Sequence, residues 1–194
     1  MYRNRNKSFD VLALFTSGYA KQFYLREISK LTGIPLKTTQ TLIKGLEEEA
    51  ILKSFTSGKN KYFKLNLDNV KTKLCLLQSE VHRTVLFIEA YPLFKTFLKE
   101  LRTGSLLVVF GSFATFEAGG DSDLDLLVVS RAKERFELPS HLVPYKLHKI
   151  ELSEASFIKS LARQEALIKE IEEKHIILDN HSFYVNAMWN YYGR

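Results

Sequence analysis

GSFATFEAGGDSDLDLLVV occupies Gly111–Val129. It follows an apolar run, Leu106–Phe110, and leads into a second one, Leu124–Val129. Both runs are short and rich in β-branched or leucine side chains, the pattern of strands buried on both faces. Between them lie a Gly-Ser pair, a glycine-rich acidic stretch and two aspartates one residue apart. Side chains at i and i+2 of a strand leave the same face, so Asp123 and Asp125 share a face while Leu124 and Leu126 take the other. Two like charges at the mouth of a buried strand are unfavourable unless a cation joins them. Hard carboxylate oxygens at this spacing suit Mg²⁺, or Mn²⁺ in its place. Gly111 and Ser112, delivered by the first strand to the start of a turn, offer backbone N–H groups and a hydroxyl to phosphate oxygens, and Gly111 lets the backbone approach closely.

Outward from this stretch, charge divides the chain. The formal net charge is +6, yet residues 1–67 hold 12 Lys+Arg against 5 Asp+Glu and residues 68–194 hold 16 against 17. The whole excess of positive charge lies in the first third, as expected of a segment that meets a polyanion, with duplex DNA the first candidate. The single cysteine, Cys75, excludes an intramolecular disulfide. No apolar run approaches the ~20 residues of a membrane span. The expectation is a soluble, cytoplasmic protein without a membrane contact.

The basic segment reads as three short helices and a hairpin. Ser8 stands as a candidate N-cap before FDVLALF, with Gly18 as a stop. Leu25, Ile28 and Leu31 carry the next helix, which Gly33 ends, and Pro35 opens a third in a first-turn position. In that third helix Thr39, Leu42, Ile43 and Leu46 form one side, and Lys37, Thr41, Lys44 and Glu48 the other, flanked by Thr38 and Gln40. Two β-capable runs then flank Ser57-Gly58-Lys59-Asn60, a hairpin with a basic tip. Residues 8–67 in this order resemble the winged helix-turn-helix family. The resemblance implies that Lys37, Thr38, Gln40, Thr41 and Lys44 enter the major groove and that Lys59 and Lys61 touch the backbone from the wing. Ala50 stands where many members have glycine.

Between the two parts, Asp68 or Asn69 can cap a helix in which Val70, Leu74, Leu77, Val81, Val85 and Ile88 recur at steps of three and four until Pro92. Packing onto its own domain and pairing with a second copy both fit this row. The tail reads as one long helix from about Ser153, a short strand HIILD and an aromatic last helix.

Gly-Ser, ten residues, then Asp-x-Asp opening an apolar strand resembles the signature of the DNA polymerase β-like nucleotidyltransferase superfamily in its minimal form, over about residues 93–180. The resemblance implies transfer of a nucleoside monophosphate from an NTP, ATP first, to an acceptor hydroxyl. It assigns Asp123 and Asp125 as catalytic metal ligands, and Gly111 and Ser112 as the nucleotide-binding pair for the β- and γ-phosphates. Two positions depart from the family pattern. Thr115 and Phe116 stand where a basic residue and a glycine are common, and the slot for a third carboxylate falls at His148, with Glu151 the only nearby acid.

The expected fold class is α/β (α+β). A winged helix-turn-helix covers 1–67, a connecting helix 68–92, and a nucleotidyltransferase domain with a small mixed sheet flanked by helices 93–194. The combination resembles microbial regulators and antitoxin-like proteins, which implies transcription regulation, a homodimer on DNA and a small helical toxin-like protein as partner. Three functions stand side by side: a nucleotidyltransferase that also binds DNA, a DNA-binding regulator whose degenerate domain senses nucleotide, and a small-molecule enzyme of the aminoglycoside type.

Overall fold

The computed structural model describes residues 2–101, 103–131 and 138–193. The fold is mixed α/β as expected, with eight α-helices and two small sheets among the described residues. No helix among them is long and apolar enough to cross a membrane. The chain forms two compact units, Met1–His82 with Met188–Arg194, and Arg83–Ala187.

The first unit begins with α1 (Tyr2–Thr16). Ser8 lies inside this helix and does not cap it, because the preceding Arg, Asn and Lys residues contain no breaker and the helix extends back through them. A two-residue strand β1 (Phe23–Tyr24) leads into α2 (Leu25–Thr32), which ends at Gly33 in the left-handed conformation, φ 67°. Ile28 is its buried residue, whereas Leu31 points outward. Pro35 is the N-cap of α3 (Leu36–Glu48) rather than a first-turn residue, and Thr39, Ile43 and Leu46 form the buried side of that helix.

Helix α3 ends in a Schellman motif: Ala50 N–H donates to Glu47 O at 2.9 Å and Ile51 N–H to Leu46 O at 2.8 Å. Ala50 holds φ 54° there, the backbone state usually given to glycine. Strands β2 (Leu52–Ser57) and β3 (Asn60–Leu65) make the hairpin around Gly58-Lys59, with Gly58 at φ 59°. The sheet order is β1-β3-β2, antiparallel throughout, with Phe23 opposite Phe63.

Helix α4 (Val70–Ala90) follows, capped by Asn69, whose Oδ1 accepts Lys71 N–H at 3.0 Å. The division between units falls within this helix, at His82/Arg83, rather than at its ends. Its bonding explains the place. Ser79 Oγ donates to Phe9 O and His82 lies 3.1 Å from Asp10, whereas Thr84 Oγ bonds Ile177 O and Arg83 bonds His175 O.

In the second unit, α5 (Phe94–Glu100) precedes β4 (Leu106–Phe110) and β5 (Leu124–Ser130). After a 3₁₀ turn at Ser140–Leu142 come β6 (Leu147–Ser153), α6 (Glu154–Arg163), α7 (Ala166–Glu173), β7 (His175–Asp179) and α8 (His181–Tyr192). The expected single long helix is two, because Gln164 adopts φ 52° and turns the chain between α6 and α7. The sheet order is β6-β5-β4-β7, with β5 and β6 parallel and the other pairs antiparallel. Strand β4 is buried over its full length, and Phe87, Phe94, Phe97 and Phe113 pack with it into the core.

Candidate functional site

Strand β4 delivers Gly111 at its carboxyl end with φ +68°. A Cβ there would stand 2.5 Å from Asp125 Oδ2, so the position requires glycine twice, for its backbone and for the space. The following turn is closed by Ala114 N–H to Gly111 O at 3.1 Å and Glu117 N–H to Ser112 O at 3.0 Å. The amides of Ser112 and Phe113 meet no carbonyl acceptor among the described residues. These two N–H groups are unused donors of the turn.

Asp123 stands immediately before β5, and Asp125 is its second residue. In the ladder Asp125 lies opposite Phe110 of β4 and His148 of β6. Beside the two aspartates stand a lysine and a histidine: Lys146 Nζ is 3.4 Å from Asp123 Oδ2, and His148 Nδ1 is 2.9 Å from Asp125 Oδ1. Lys146 stands immediately before β6 and His148 is its second residue, and no local sequence feature announces the parallel register of β6 with β5. His148 thus occupies the place next to Asp125 where a third carboxylate was sought. Glu151 is three residues further along β6 and on its other face, where it pairs with Lys149, so it does not join the aspartates. No group of three or more His, Cys, Asp or Glu side chains placed to hold a metal occurs among the described residues. Two carboxylates alone still fit the habit of Mg²⁺, which takes one or two from a protein and completes its shell with substrate phosphates and water.

Residues 92–180 match the family model of the nucleotidyltransferase domain. No curated protein matches the chain. No solved structure does either. The nucleotidyltransferase match covers all four strands of the second sheet together with Gly111, Ser112, Asp123, Asp125 and His148. Within it, an open cleft of about 460 Å³ is lined by Gly111, Ser112, Thr115 and Glu117 on one side and by Lys169, Glu170, Glu173 and Lys174 on the other. The aspartates are not among its lining, although Gly111 touches both the cleft and Asp125. Lys169 and Lys174 are cations that sequence reasoning missed. They reach the turn only because the chain reverses at Gln164. Thr115 Oγ1 lies 3.0 Å from both Ser112 O and Glu117 Oε2, so it braces the turn and adds no charge. Phe116 holds a left-handed backbone, φ 62°, the state that favours glycine, with its ring stacked 6.3 Å from Tyr91.

The first unit carries a separate concavity of about 940 Å³. Gln40, Lys44, Lys59 and Lys61 line it, together with Tyr24, Arg26, Glu47 and Asn60. Lys37, Thr38 and Thr41 lie on α3 outside that lining, and the Thr41 hydroxyl donates to Lys37 O at 3.1 Å. One lysine expected in the groove and one expected on the DNA backbone are engaged by acids of α3. Lys61 Nζ is 3.0 Å from Glu47, and Lys44 Nζ is 3.5 Å from Glu48. Burial alone would push the Glu47 carboxyl up, but hydrogen bonds from Ser54 and Lys61, and the Lys61 charge, hold it below the usual value. Arg26 and Lys59 form no ion pair among the described residues. Arg26 was legible only as one more charge in YLREISK.

Proposed function

We propose that the protein transfers a nucleoside monophosphate from an NTP, ATP first, to an acceptor hydroxyl, and that its first unit is a winged helix-turn-helix that binds duplex DNA. The observation that carries the first half is the contact of Gly111 with Asp125, inside a span matching the nucleotidyltransferase family. It supports a reading in which the turn that would receive the phosphates lies directly against a carboxylate that would hold the metal. Ser112 and the free amides of the turn would hold the β- and γ-phosphates, with Lys169 and Lys174 across the cleft supplying the charge that Thr115 lacks. Asp123 and Asp125 would hold Mg²⁺ or Mn²⁺, which neutralises phosphate charge during in-line displacement. Pyrophosphate leaves as the acceptor oxygen bonds the α-phosphorus. His148 fixes the orientation of Asp125 through its 2.9 Å contact. A hydroxyl on a small helical partner protein is the proposed acceptor.

The basic concavity between α3 and the hairpin supports the second half, and transcription regulation is the proposed consequence. A second reading, a nucleotide sensor without transfer, is favoured by one observation. An imidazole, not a carboxylate, adjoins Asp125. Incubation with α-labelled ATP and cell extract separates the two. Label that moves to a macromolecule with the wild type and not with Asp123→Asn/Asp125→Asn supports transfer, while nucleotide binding without any labelled product supports the sensor. For DNA, Lys37→Ala with Lys59→Ala should weaken duplex binding and reduce its salt dependence by about one unit of slope per lost phosphate contact. Binding unchanged and insensitive to salt would make the first unit a protein-contact module.

A further inference from the structure

Helix α4 carries apolar side chains on both of its sides. Its buried side holds Leu76 and Phe87 together with Thr72, Ser79, Glu80 and Thr84. Its outer side carries Val70, Leu74, Val81 and Val85, which are 69%, 57%, 45% and 46% exposed, with half-buried Leu77 and Ile88 in the same row. Of the nine large apolar side chains exposed among the described residues, five lie on α4, Leu86 included. Steps of four, three, four, four and three average the 3.6 residues of an undistorted helix, so the row runs straight along one face for about 27 Å. Scattered exposed leucines need no explanation, whereas a continuous row marks a contact surface.

We propose that this row packs against the same row of a second copy of the chain, the two α4 helices running antiparallel about a two-fold axis at the level of Ser79. An axis there sets Val70 against the partner's Ile88, Leu74 against the partner's Val85, and Leu77 against the partner's Val81, each pair occurring twice, so every member of the row is covered. Charge selects the same direction. The first turn carries Lys71 and Lys73, and the last carries Glu89. A parallel pair brings the two basic turns together, whereas the antiparallel pair brings each to the other's Glu89, on the flank that Lys71 and Glu89 share. Lys71 also holds Glu49 at 2.7 Å within its own chain, so this is a match of charged ends and not a required bond. A helix pair of this length covers on the order of 1,000 Å² in total, the lower end of specific interfaces. The inference rests on neither nucleotidyl transfer nor DNA binding.

Sedimentation equilibrium of the full chain tests it. At about 50 µM the wild type should sediment at twice its 22.4 kDa chain mass. Val81→Glu, with a circular dichroism spectrum and melting curve like the wild type, should sediment at the chain mass. A second experiment stands if that variant fails to fold. Chains with Leu74→Cys and chains with Val85→Cys, both in a Cys75→Ser background, are mixed and gently oxidised. Disulfides between unlike chains should exceed those between like chains several-fold. A monomeric wild type, a dimeric Val81→Glu, or Leu74→Cys chains that link mainly to one another would each overturn the proposal.

Discussion

Gly111→Ala is the substitution whose cost the site's geometry fixes most closely. The added Cβ must adopt φ +68°, which costs a residue with a side chain about 1–2 kcal/mol. It must also occupy a point 2.5 Å from Asp125 Oδ2, closer than real Cβ contacts allow. The carboxylate then swings away from His148 or the turn opens, and the partly exposed His148 contact, worth about 1 kcal/mol, is lost. Together these give about 2–3 kcal/mol. The two parts can be separated because only one of them involves Asp125. In an Asp125→Ala background the clash is absent and the same change should cost about 1–2 kcal/mol, the backbone part alone. Urea denaturation of the four proteins of this cycle measures both costs. Equal costs in the two backgrounds would refute the claim that Gly111 is required by the aspartate.

Two further changes test the first unit. Ala50→Gly should stabilise the protein by about 0.5–1 kcal/mol and raise Tm, since the Schellman motif holds this residue at φ 54° while Ala50 keeps its hydrogen bonds through backbone atoms only; an unchanged or lower Tm contradicts this. The Glu47 carboxyl is held below its unfolded value of 4.5, so its contribution is complete above that pH and disappears as pH falls through the lower folded value. Glu47→Gln should therefore flatten the acid side of the stability curve below pH 4.5, by less than about 1 kcal/mol because Lys61 is half exposed. An equally steep acid limb in the variant would remove the pair from the account.

What the sequence displays well are features with a local cause. Strands β4 and β5 follow from apolar runs, α3 from its 3.6-residue period, and the hairpin from Gly58 beside Lys59 and Asn60. The Gly-Ser turn and the aspartate pair were placed at strand ends for the same reason. Features set by partners elsewhere in the chain were hidden. Strand β1 is only two residues and exists because β3 offers it an edge, Phe23 to Phe63. Lys146 and His148 reach the aspartates through the register of a parallel strand pair, and Lys169 and Lys174 reach the Ser112 turn through a reversal at Gln164, a residue with no strong breaking tendency. The row on α4 has the right period whether it faces a core or a partner. The burial of Leu76 and Phe87, with Thr72, Ser79 and Thr84, on the other side shows which way the helix is turned.

The central claim is that Asp123 and Asp125 form, with the Gly111–Ser112 turn, one site for a metal-bound nucleoside triphosphate. Calorimetric titration of the full chain with ATP, with and without Mg²⁺, for the wild type and Asp123→Asn/Asp125→Asn, tests it directly. Binding should require the metal, and the double variant should lose at least tenfold in affinity while its melting curve stays close to that of the wild type. ATP binding of equal strength without metal, or undiminished in the double variant, would contradict the account and leave the two aspartates as partners of Lys146 and His148 alone.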